Sequence, residues 1–404
     1  MTRPRPGRRS PSPASTPPRA LAILGLLLLS LFTSARASRG DVPPTLDPAG
    51  GSPPDLADPG PVPSLPEPAP DPLGPAGTLL ALLDVAPALG SLPARLRPAP
   101  DAPLEPAALV STPTVSGLAW RSGTAGDPCL AQLRNRPLDV VTTYVPHESF
   151  PAMVAFTAGG YWRAKARLAP LTVVSLPLLT SSTKGQFAQC AAGAFDGSFR
   201  QIGANLKGSG ARGIVVRLGW EANIGSDSHP WGVNGSAQVP AYKACWRRAA
   251  AALKAGGGPG LSVEWTNAKR PGPALSMYPG DDAVDLWGVH YYDTGPQKST
   301  QAIWDRYYDA TDHGAPWGIG AWLKAARAHG KRLGVAEWGV WNQGQGAAKA
   351  DDPVYMDNMY RFFRANAGSI AYETYFNAKP GVSLLCPRTA FPKAAARYRA
   401  DWGR

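Results

Sequence analysis

Residues 331–341 read Lys-Arg-Leu-Gly-Val-Ala-Glu-Trp-Gly-Val-Trp, an apolar strand that ends on Glu337 and then runs into aromatic residues and glycine. Parallel α/β proteins commonly place their working groups at such strand ends. A single glutamate there is more often a structural cap or ion pair, so its meaning depends on a second carboxylate. Residues 214–223, Ile-Val-Val-Arg-Leu-Gly-Trp-Glu-Ala-Asn, supply one, Glu221, at the end of another apolar strand.

Eight short apolar runs occur between residues 117 and 376, each with the composition of a strand covered on both faces. The predicted strands are 117–120, 138–144, 171–179, 214–220, 261–265, 284–290, 333–336 and 370–376. Helical patterns lie between and after them. The predicted helices are 187–206, 240–255, 300–310, 318–329, 353–366 and 392–402.

Repeated strand-then-helix units of this kind predict an α/β protein with the (β/α)8 barrel fold, also called a TIM barrel. A doubly wound open sheet is the alternative. That fold normally has a glycine-rich fingerprint after its first strand, and none is present here.

The first 112 residues have the composition of a leader followed by a linker. Residues 1–37 combine six arginines with an apolar run at 21–32 and Ala-Arg-Ala at 35–37, which is typical of a secretory signal peptide. An uncleaved anchor is the alternative. Residues 38–112 hold 19 prolines in 75 positions and predict an extended linker. We therefore expect the folded domain at 113–404, in a protein that is secreted, periplasmic or on the cell surface.

Charge is distributed unevenly along the chain. Residues 38–112 carry about −6, which offsets the basic leader, so that the formal net charge of +12 falls on residues 113–404. Neither a nucleic-acid motif nor a dense run of Lys and Arg accompanies this charge, and no nucleic-acid partner is expected. A basic solvated surface is the simplest interpretation, and an acidic polysaccharide substrate is the alternative.

The four cysteines, Cys129, Cys190, Cys245 and Cys386, allow three pairings, and export permits them to be oxidised. Their spacing is not that of a zinc site. In the predicted barrel, Cys190 and Cys245 lie on helices that follow the neighbouring third and fourth strands. Cys129 and Cys386 lie in loops after the first and eighth strands, which meet where the barrel closes. This layout predicts the disulfides Cys190–Cys245 and Cys129–Cys386.

The two strand-end glutamates can act as a pair. Glu221 ends the fourth strand and Glu337 the seventh, and these ends face each other across the mouth of a barrel. Two carboxylates placed in this way can hydrolyse a glycosidic bond in two steps, one as nucleophile and one as acid and then base. We expect desolvation by Trp220 and Trp231 to raise the pKa of Glu221, which suits the acid.

Aromatic and polar residues at or near the strand ends form a candidate sugar cleft. Indole faces stack on sugar rings, although tryptophan also fills protein cores. The candidate substrate contacts are Trp120, Arg121, Arg217, Trp220, Asn223, Trp231, Trp265, His290, Tyr291, Trp338, Trp341 and Asn377. Each polar member alone is better explained as a structural group, but the set predicts a polar lining.

A more specific pattern precedes and includes the sixth strand. Residues 278–292 read Tyr-Pro-Gly-Asp-Asp-Ala-Val-Asp-Leu-Trp-Gly-Val-His-Tyr-Tyr. This resembles the Y-P-G-D-x-x-V-D-x-x-G-V-x-x-Y pattern of glycoside hydrolase family 26, the β-mannanase-like family. The whole of 113–404 looks like a compact member of that family or of a close relative among the retaining (β/α)8 glycoside hydrolases.

The resemblance implies roles for individual residues. It implies Glu221 as the acid/base, Glu337 as the nucleophile, and Tyr292 as the tyrosine that hydrogen-bonds the nucleophile, with Tyr291 as second choice. The family usually has histidine directly before the acid/base, and this chain has Trp220 there.

These features predict a secreted, retaining and endo-acting glycoside hydrolase. It is expected to cleave a β-linked polysaccharide as a monomer, without metal or organic cofactor. The polymer is expected to be mannan-like, or an exopolysaccharide made by the same cell. No membrane span is expected after cleavage of the signal. A non-catalytic carbohydrate-binding barrel in a cell-surface or matrix context is the alternative, motivated by Trp220.

Overall fold

The computed structural model of the protein describes residues 106, 109, 113–269, 274–294, 300–342, 344 and 346–404. The predicted signal peptide and nearly all of the predicted linker lie outside these positions. The strands are β1 (Ser122–Gly126), β2 (Val140–Tyr144), β3 (Leu171–Leu176), β4 (Gly213–Leu218), β5 (Leu261–Ala268), β6 (Leu286–Asp293), β7 (Thr311–Asp312), β8 (Ala315–Pro316), β9 (Leu333–Val340) and β10 (Ile370–Asn377).

Eight of these strands close into a parallel barrel in the order β1-β2-β3-β4-β5-β6-β9-β10, and β10 pairs back to β1. The remaining two form a small antiparallel hairpin. The predicted (β/α)8 fold is therefore confirmed. Seven of the barrel strands lie where the apolar runs predict them, because short Val- and Ile-rich segments suit strands that are buried on both faces.

Helices cover the outside of the barrel. They are α1 (Leu130–Arg134), α2 (Phe150–Ala158), α3 (Gly160–Lys165), α4 (Phe187–Ala191), α5 (Asp196–Lys207), α6 (Val239–Gly257), α7 (Gln301–Tyr308), α8 (Ile319–Ala328), α9 (Ala347–Ala350), α10 (Pro353–Ala365) and α11 (Pro392–Trp402). The side chains of Ser149, Thr300 and Asp352 accept backbone N–H groups at the starts of α2, α7 and α10, as N-caps do. The predicted helix at 187–206 is divided into α4 and α5, which are separated by Gly193 at φ +94°.

The first predicted strand, 117–120, is wrong. The barrel strand is β1, whose sequence Ser-Gly-Thr-Ala-Gly lacks the apolar signal. Small residues are required because β1 and β2 approach closely, and a Cβ at Gly123 would lie 1.8 Å from the carbonyl oxygen of Val140. The segment before β1 instead bends around Asp139, which accepts the backbone N–H groups of Ser116 (2.8 Å) and Ser122 (3.0 Å).

Leu109 lies ahead of residue 113, the predicted start of the domain. This residue falls in the predicted linker, yet it is fully buried inside the barrel among Val140, Leu171 and Leu286, near the ends where strands begin. Its carbonyl oxygen accepts a hydrogen bond from Arg121 Nη2 (2.6 Å). Burying a leucine side chain contributes about 1.5–3 kcal/mol, so Leu109 adds to the packing of the barrel interior.

Both predicted disulfides are present. Cys190 on α4 is joined to Cys245 on α6, and Cys129 is joined to Cys386 beside the β1–β10 seam. Among the described residues, no helix is long and apolar enough to cross a membrane.

Candidate active site

Glu337 lies on β9 and is almost buried, with 7% of its surface exposed. Three side chains from other strands donate hydrogen bonds to its carboxylate. Tyr144 Oη and Arg217 Nη2 donate to Oε1 (2.8 and 2.7 Å), and Tyr292 Oη donates to Oε2 (2.6 Å). The hydrogen bond from Tyr292 is the one that the family resemblance implies. Every donor comes from the end of a barrel strand, so the fold itself holds the carboxylate in one orientation.

The surroundings of Glu337 favour its ionised form. Burial opposes ionisation, but His290 and Arg217 outweigh it and hold the pKa of Glu337 below its ordinary value. Burial and the neighbouring carboxylate together raise the pKa of Tyr144 and of Tyr292 well above the usual range. Both phenols therefore remain protonated donors at neutral pH. A fixed, ionised carboxylate of this kind is suited to act as a nucleophile.

Arg217 is the buried cation of the site, with none of its surface exposed. Its Nε donates to Ser175 Oγ (3.2 Å), and its guanidinium lies 5.5–5.6 Å from the ring centres of Tyr144 and Trp220. Burial works against the charge, but Glu337 raises the pKa of Arg217 above its ordinary value. The guanidinium is thus a permanent positive charge beneath the mouth.

Glu221 follows β4 in a strained turn. Its backbone has φ +53° and ψ +29°, the left-handed region that non-glycine residues rarely adopt. Its backbone N–H donates to the carbonyl oxygen of Thr266 (3.0 Å) on β5, which holds the turn against the barrel. The turn directs the Glu221 carboxylate toward β6 and β9, and 19% of the side chain remains exposed.

Two imidazoles contact the carboxylate of Glu221. His229 Nε2 lies 3.4 Å from Oε2 within hydrogen-bond geometry. His290 Nδ1 lies 2.8 Å from Oε1, although its N–H direction does not align as a hydrogen bond. Burial raises the pKa of Glu221, but these imidazoles outweigh it, and the net pKa lies below the ordinary value. The expectation that Trp220 and Trp231 give Glu221 a raised pKa is therefore wrong.

His290 connects the two carboxylates. Nδ1 faces Glu221, while Nε2 lies 3.4 Å from Glu337 Oε1 and also contacts Arg217 Nη1. A single imidazole thus spans the gap between the strand-four and strand-seven glutamates. The facing ends of β4 and β9 bring together the two groups that the sequence pairs.

Aromatic rings surround the mouth beside these glutamates. Trp220 is 8% exposed and lies against Tyr144, with ring centres 6.0 Å apart. Trp341 is half-buried, 4.5 Å from the ring of Tyr292 and 6.0 Å from that of Phe376. Trp220 and Trp341 are the predicted tryptophans that the structure places at the site, each beside a tyrosine that donates to Glu337. Flat apolar faces in such positions suit sugar rings.

Two predicted contacts lie at the opposite end of the barrel. Trp120 and Arg121 precede β1, because that strand begins after the predicted strand ends. The indole of Trp120 donates to Glu373 Oε1 (3.4 Å), and Arg121 donates to the carbonyl of Leu109 (2.6 Å). Neither residue reaches the mouth, so both predictions of substrate contact are wrong.

Three further predicted contacts face outward from the barrel. Side chains alternate along a strand, so Trp265, Tyr291 and Trp338 point away from the interior that their neighbours occupy. All three are at most 1% exposed. Trp338 donates to Glu373 Oε2 (2.6 Å) and stacks on Trp402 of α11, with ring centres 5.3 Å apart. These residues build the layer between sheet and helices, and their predicted substrate contacts are wrong.

The two predicted asparagines hold loops in place. Asn223 donates to the carbonyl of Ala268 (2.9 Å) and accepts its N–H (3.0 Å), which fastens the turn after Glu221 to β5. Asn377 Oδ1 accepts the N–H of Leu385 (2.7 Å) beside the Cys129–Cys386 disulfide. Both amides are buried and occupied by these backbone groups, and Trp231 is fully buried, so these three residues hold the walls of the site in place.

Sequence reasoning missed two residues of the site, Tyr144 and His229. Tyr144 ends the predicted second strand, and that position was the available signal. His229 lies in the long loop after Glu221, and its place cannot be read from strand periodicity. Among the described residues, no group of three His, Cys, Asp or Glu side chains is arranged to hold a metal ion.

Another buried carboxylate lies deeper in the barrel. Glu264 on β5 is fully buried and accepts hydrogen bonds from Thr266 Oγ1 (2.6 Å) and Tyr372 Oη (2.7 Å). Gly288 and Gly334 leave the space that it occupies, since a Cβ at either would lie 2.3 Å from its oxygens. Burial raises the pKa of Glu264, although Thr266, Tyr372 and Arg217 oppose that rise.

No protein-family model matches the sequence, and no curated protein matches it. Solved structures match its fold. A modular endo-β-1,4-mannanase of glycoside hydrolase family 26 from Cellulomonas fimi has a TM-score of 0.54 at 16% identity, covering 75% of this chain and 75% of that one. A double mutant of a Cellulomonas fimi endo-β-1,4-mannanase has a TM-score of 0.51 at 16% identity, covering 75% and 74%.

A third structure, GH26C from Muricauda sp., has a TM-score of 0.50 at 15% identity, covering 74% of this chain and 87% of that one. These likenesses define the class of fold. The barrel resembles those of family 26 glycoside hydrolases, as the motif in residues 278–292 predicts. At such identities the agreement concerns the fold alone.

Proposed function

We propose that this domain is a secreted, retaining β-glycoside hydrolase that cleaves a β-linked polysaccharide of the mannan type. The observation that carries the proposal is the pair Glu221 and Glu337 at facing strand ends, with only His290 between them. One carboxylate is fixed by three donors and the other sits at the edge of the cleft. That division matches the nucleophile and the acid/base of a double displacement.

The reaction has two steps. First, an oxygen of Glu337 attacks the anomeric carbon, the glycosidic C–O bond breaks, and the leaving oxygen takes a proton from Glu221. Then Glu221 accepts a proton from water, water oxygen attacks the same carbon, and the glycosyl–Glu337 bond breaks. Tyr292 and Arg217 support the proposal because they keep Glu337 ionised and oriented before attack.

The substrate class rests on two supports. The matching solved structures named above are of mannanases or of a family 26 protein, and the mouth carries Trp220 and Trp341 as flat faces for sugar rings. Secretion is supported by the leader composition of residues 1–37 and by two disulfides in the domain.

The test is hydrolysis of a polysaccharide panel by the purified protein. Mannans, xylans, β-glucans and bacterial exopolysaccharides are incubated with wild type, Glu337→Ala and Glu221→Ala, and reducing ends are measured. Glu148→Gln, at an exposed glutamate, is the matched control and is expected to behave as wild type. Proton NMR of the first product should show the anomer with the substrate's configuration. A wild type inactive on every polymer would contradict the proposal.

Sugar binding without cleavage is the second candidate function. It is favoured by the lowered pKa of Glu221, because an ionised carboxylate has no proton to donate. Binding of a panel polymer without release of reducing ends would support this candidate.

A further inference from the structure

Glu221 has two imidazole neighbours, and the first step of the proposed reaction requires a proton. We propose that His229 carries the proton that Glu221 delivers, so that the acid/base of this barrel is a glutamate–histidine pair. This inference rests on the proposed function. His229 acts through Glu221 and is therefore a positioning and proton-holding residue, while Glu221 remains the group that meets the leaving oxygen.

His290 cannot fill this role. Arg217 Nη1 contacts His290 Nε2, and a guanidinium only donates hydrogen bonds. Nε2 is therefore occupied by Arg217, while Nδ1 faces Glu221. His290 is thus held between the two carboxylates. It is also buried, so it cannot exchange protons directly with solvent.

His229 has the opposite surroundings. Its Nε2 lies 3.4 Å from Glu221 Oε2, and 19% of its side chain is exposed, so it can exchange protons with water. Its ring lies parallel to Trp231 at 4.7 Å with an interplanar angle of 4°, and edge-on to Trp220 at 5.4 Å. The Trp231 indole donates to the carbonyl of Trp220 (2.8 Å), which fixes this aromatic wall. The wall holds the imidazole against the carboxylate.

Titratable and charged groups surround the carboxylate of Glu221. The groups that face Glu221 are His229 from its own loop, His290 and Tyr292 from β6, and Glu337 from β9, with Arg217 behind His290. Burial works against ionisation of Glu221, but the imidazoles keep its pKa below the ordinary value. An imidazole can hold a proton near neutral pH where such a carboxyl cannot. The pair then stores one proton between Nε2 and Oε2.

The proton balance closes over one turnover. As Glu337 attacks and the glycosidic C–O bond breaks, the proton passes from His229 through Glu221 to the leaving oxygen, leaving His229 neutral. In the second step, water loses a proton to Glu221, its oxygen bonds to the anomeric carbon, and the glycosyl–Glu337 bond breaks. That proton returns to the pair, so water is the only co-reactant.

The test compares His229→Asn with wild type on two substrates across pH. The leaving group in mannan is a sugar hydroxyl, which needs a proton from the acid. The leaving group of 2,4-dinitrophenyl β-mannobioside is 2,4-dinitrophenolate, which departs without a proton. For mannan at pH 7, kcat/KM of the variant should fall about 100-fold, the size of a general-acid effect. For the aryl glycoside it should change by less than about 3-fold, because no proton is required in that step. The alkaline limb of the mannan profile should move to lower pH, where Glu221 itself becomes protonated.

His147→Asn is the matched control. His147 is another half-buried histidine near the same wall, with its ring 6.3 Å from Trp231, but it bonds to Ser181 Oγ (3.1 Å). This variant should keep the wild-type pH profile. If kcat/KM of His229→Asn falls equally for both substrates, or if its mannan profile keeps the wild-type alkaline limb, the inference is overturned while the proposed function stands. A wild type inactive on both substrates would instead overturn the proposed function.

Discussion

Glu337 on β9 and Glu373 on β10 are both buried carboxylates that accept hydrogen bonds from three different side chains. Glu337 faces the mouth and has two phenols and a guanidinium, and its pKa is lowered. Glu373 faces the helix layer and has three neutral indoles, from Trp120, Trp338 and Trp402. Burial dominates there, and the pKa of Glu373 is raised.

The difference shows what lowers the pKa of one buried glutamate and raises that of another. The number of hydrogen bonds is the same, so it does not separate the two sites. The basic neighbours do separate them, because His290 and Arg217 lie 3.4 and 2.7 Å from Glu337 and no cation lies within 4 Å of Glu373 among the described ion pairs. The indoles of Glu373 thus serve to fasten α11 and the segment before β1 to the barrel.

The largest expected effect comes from the matched amides Glu337→Gln and Glu373→Gln. Loss of a nucleophile should lower kcat by about 10⁵-fold or more, as when a nucleophile is removed from other hydrolases. Glu373→Gln should leave kcat within about 2-fold and cost about 1 kcal/mol of unfolding free energy, since the amide keeps an acceptor for the indoles. Steady-state kinetics on the active polymer and urea unfolding measure the two quantities. Equal losses of kcat in both variants would contradict the assignment.

Arg217→Met would make the surroundings of Glu337 resemble those of Glu373. Breaking a buried ion pair should cost about 3–5 kcal/mol of unfolding free energy. Without the guanidinium, the pKa of Glu337 should rise, because burial is then opposed by His290 and the phenols alone. The nucleophile must be ionised, so the acid limb of kcat/KM should move to higher pH. A pH–rate profile with the wild-type acid limb would count against this account.

Tyr292→Phe and Tyr144→Phe each remove one donor from Glu337. A hydrogen bond to a charged group is worth about 1.5–3 kcal/mol, so kcat/KM should fall about 10- to 100-fold in each variant. The acid limb should again move to higher pH, by less than in Arg217→Met, since the guanidinium remains. Tyr372→Phe, which removes a donor to Glu264 deeper in the barrel, is the control and should leave the acid limb in place.

The smallest expected effect is that of Trp402→Phe on activity. Removing the indole that donates to Glu373 (2.9 Å) should cost about 1–3 kcal/mol in stability. The pH profile of kcat/KM should be unchanged, because Trp402 lies outside the barrel. A shifted profile would show that the helix layer and the mouth are energetically linked.

Much of the fold follows from sequence because buried parallel strands have a strong apolar signature. β1 lacks this apolar signature, since close packing against β2 demands glycine and alanine instead of Val or Ile. Leu109 lacks it as well, because a single apolar residue in a proline-rich stretch gives no periodic signal. Both disulfides follow from barrel order alone.

The candidate site follows in part. Glu221, Glu337 and Tyr292 can be placed because strand ends and one motif locate them. Trp338 could have been left out of the predicted substrate contacts. It follows Glu337 directly, and the alternation of side chains along a strand turns it outward. His229 could not have been found, since a loop of this length has no periodicity. The lowered pKa of Glu221 also depends on loop and strand contacts that no single stretch of sequence contains.

The seam between β1 and β10 has a kinetic consequence. Ser122 pairs with Glu373, and Cys129 bonds Cys386 across a sequence separation of 257 residues. Contacts that join distant parts of a chain form slowly, because the loop entropy is lost before the contact is gained. We therefore expect the ring of strands to close late in folding, when β10 pairs with β1. Until then β1 lacks one neighbouring strand. The rate at which the Cys129–Cys386 disulfide forms would therefore report the completion of the barrel.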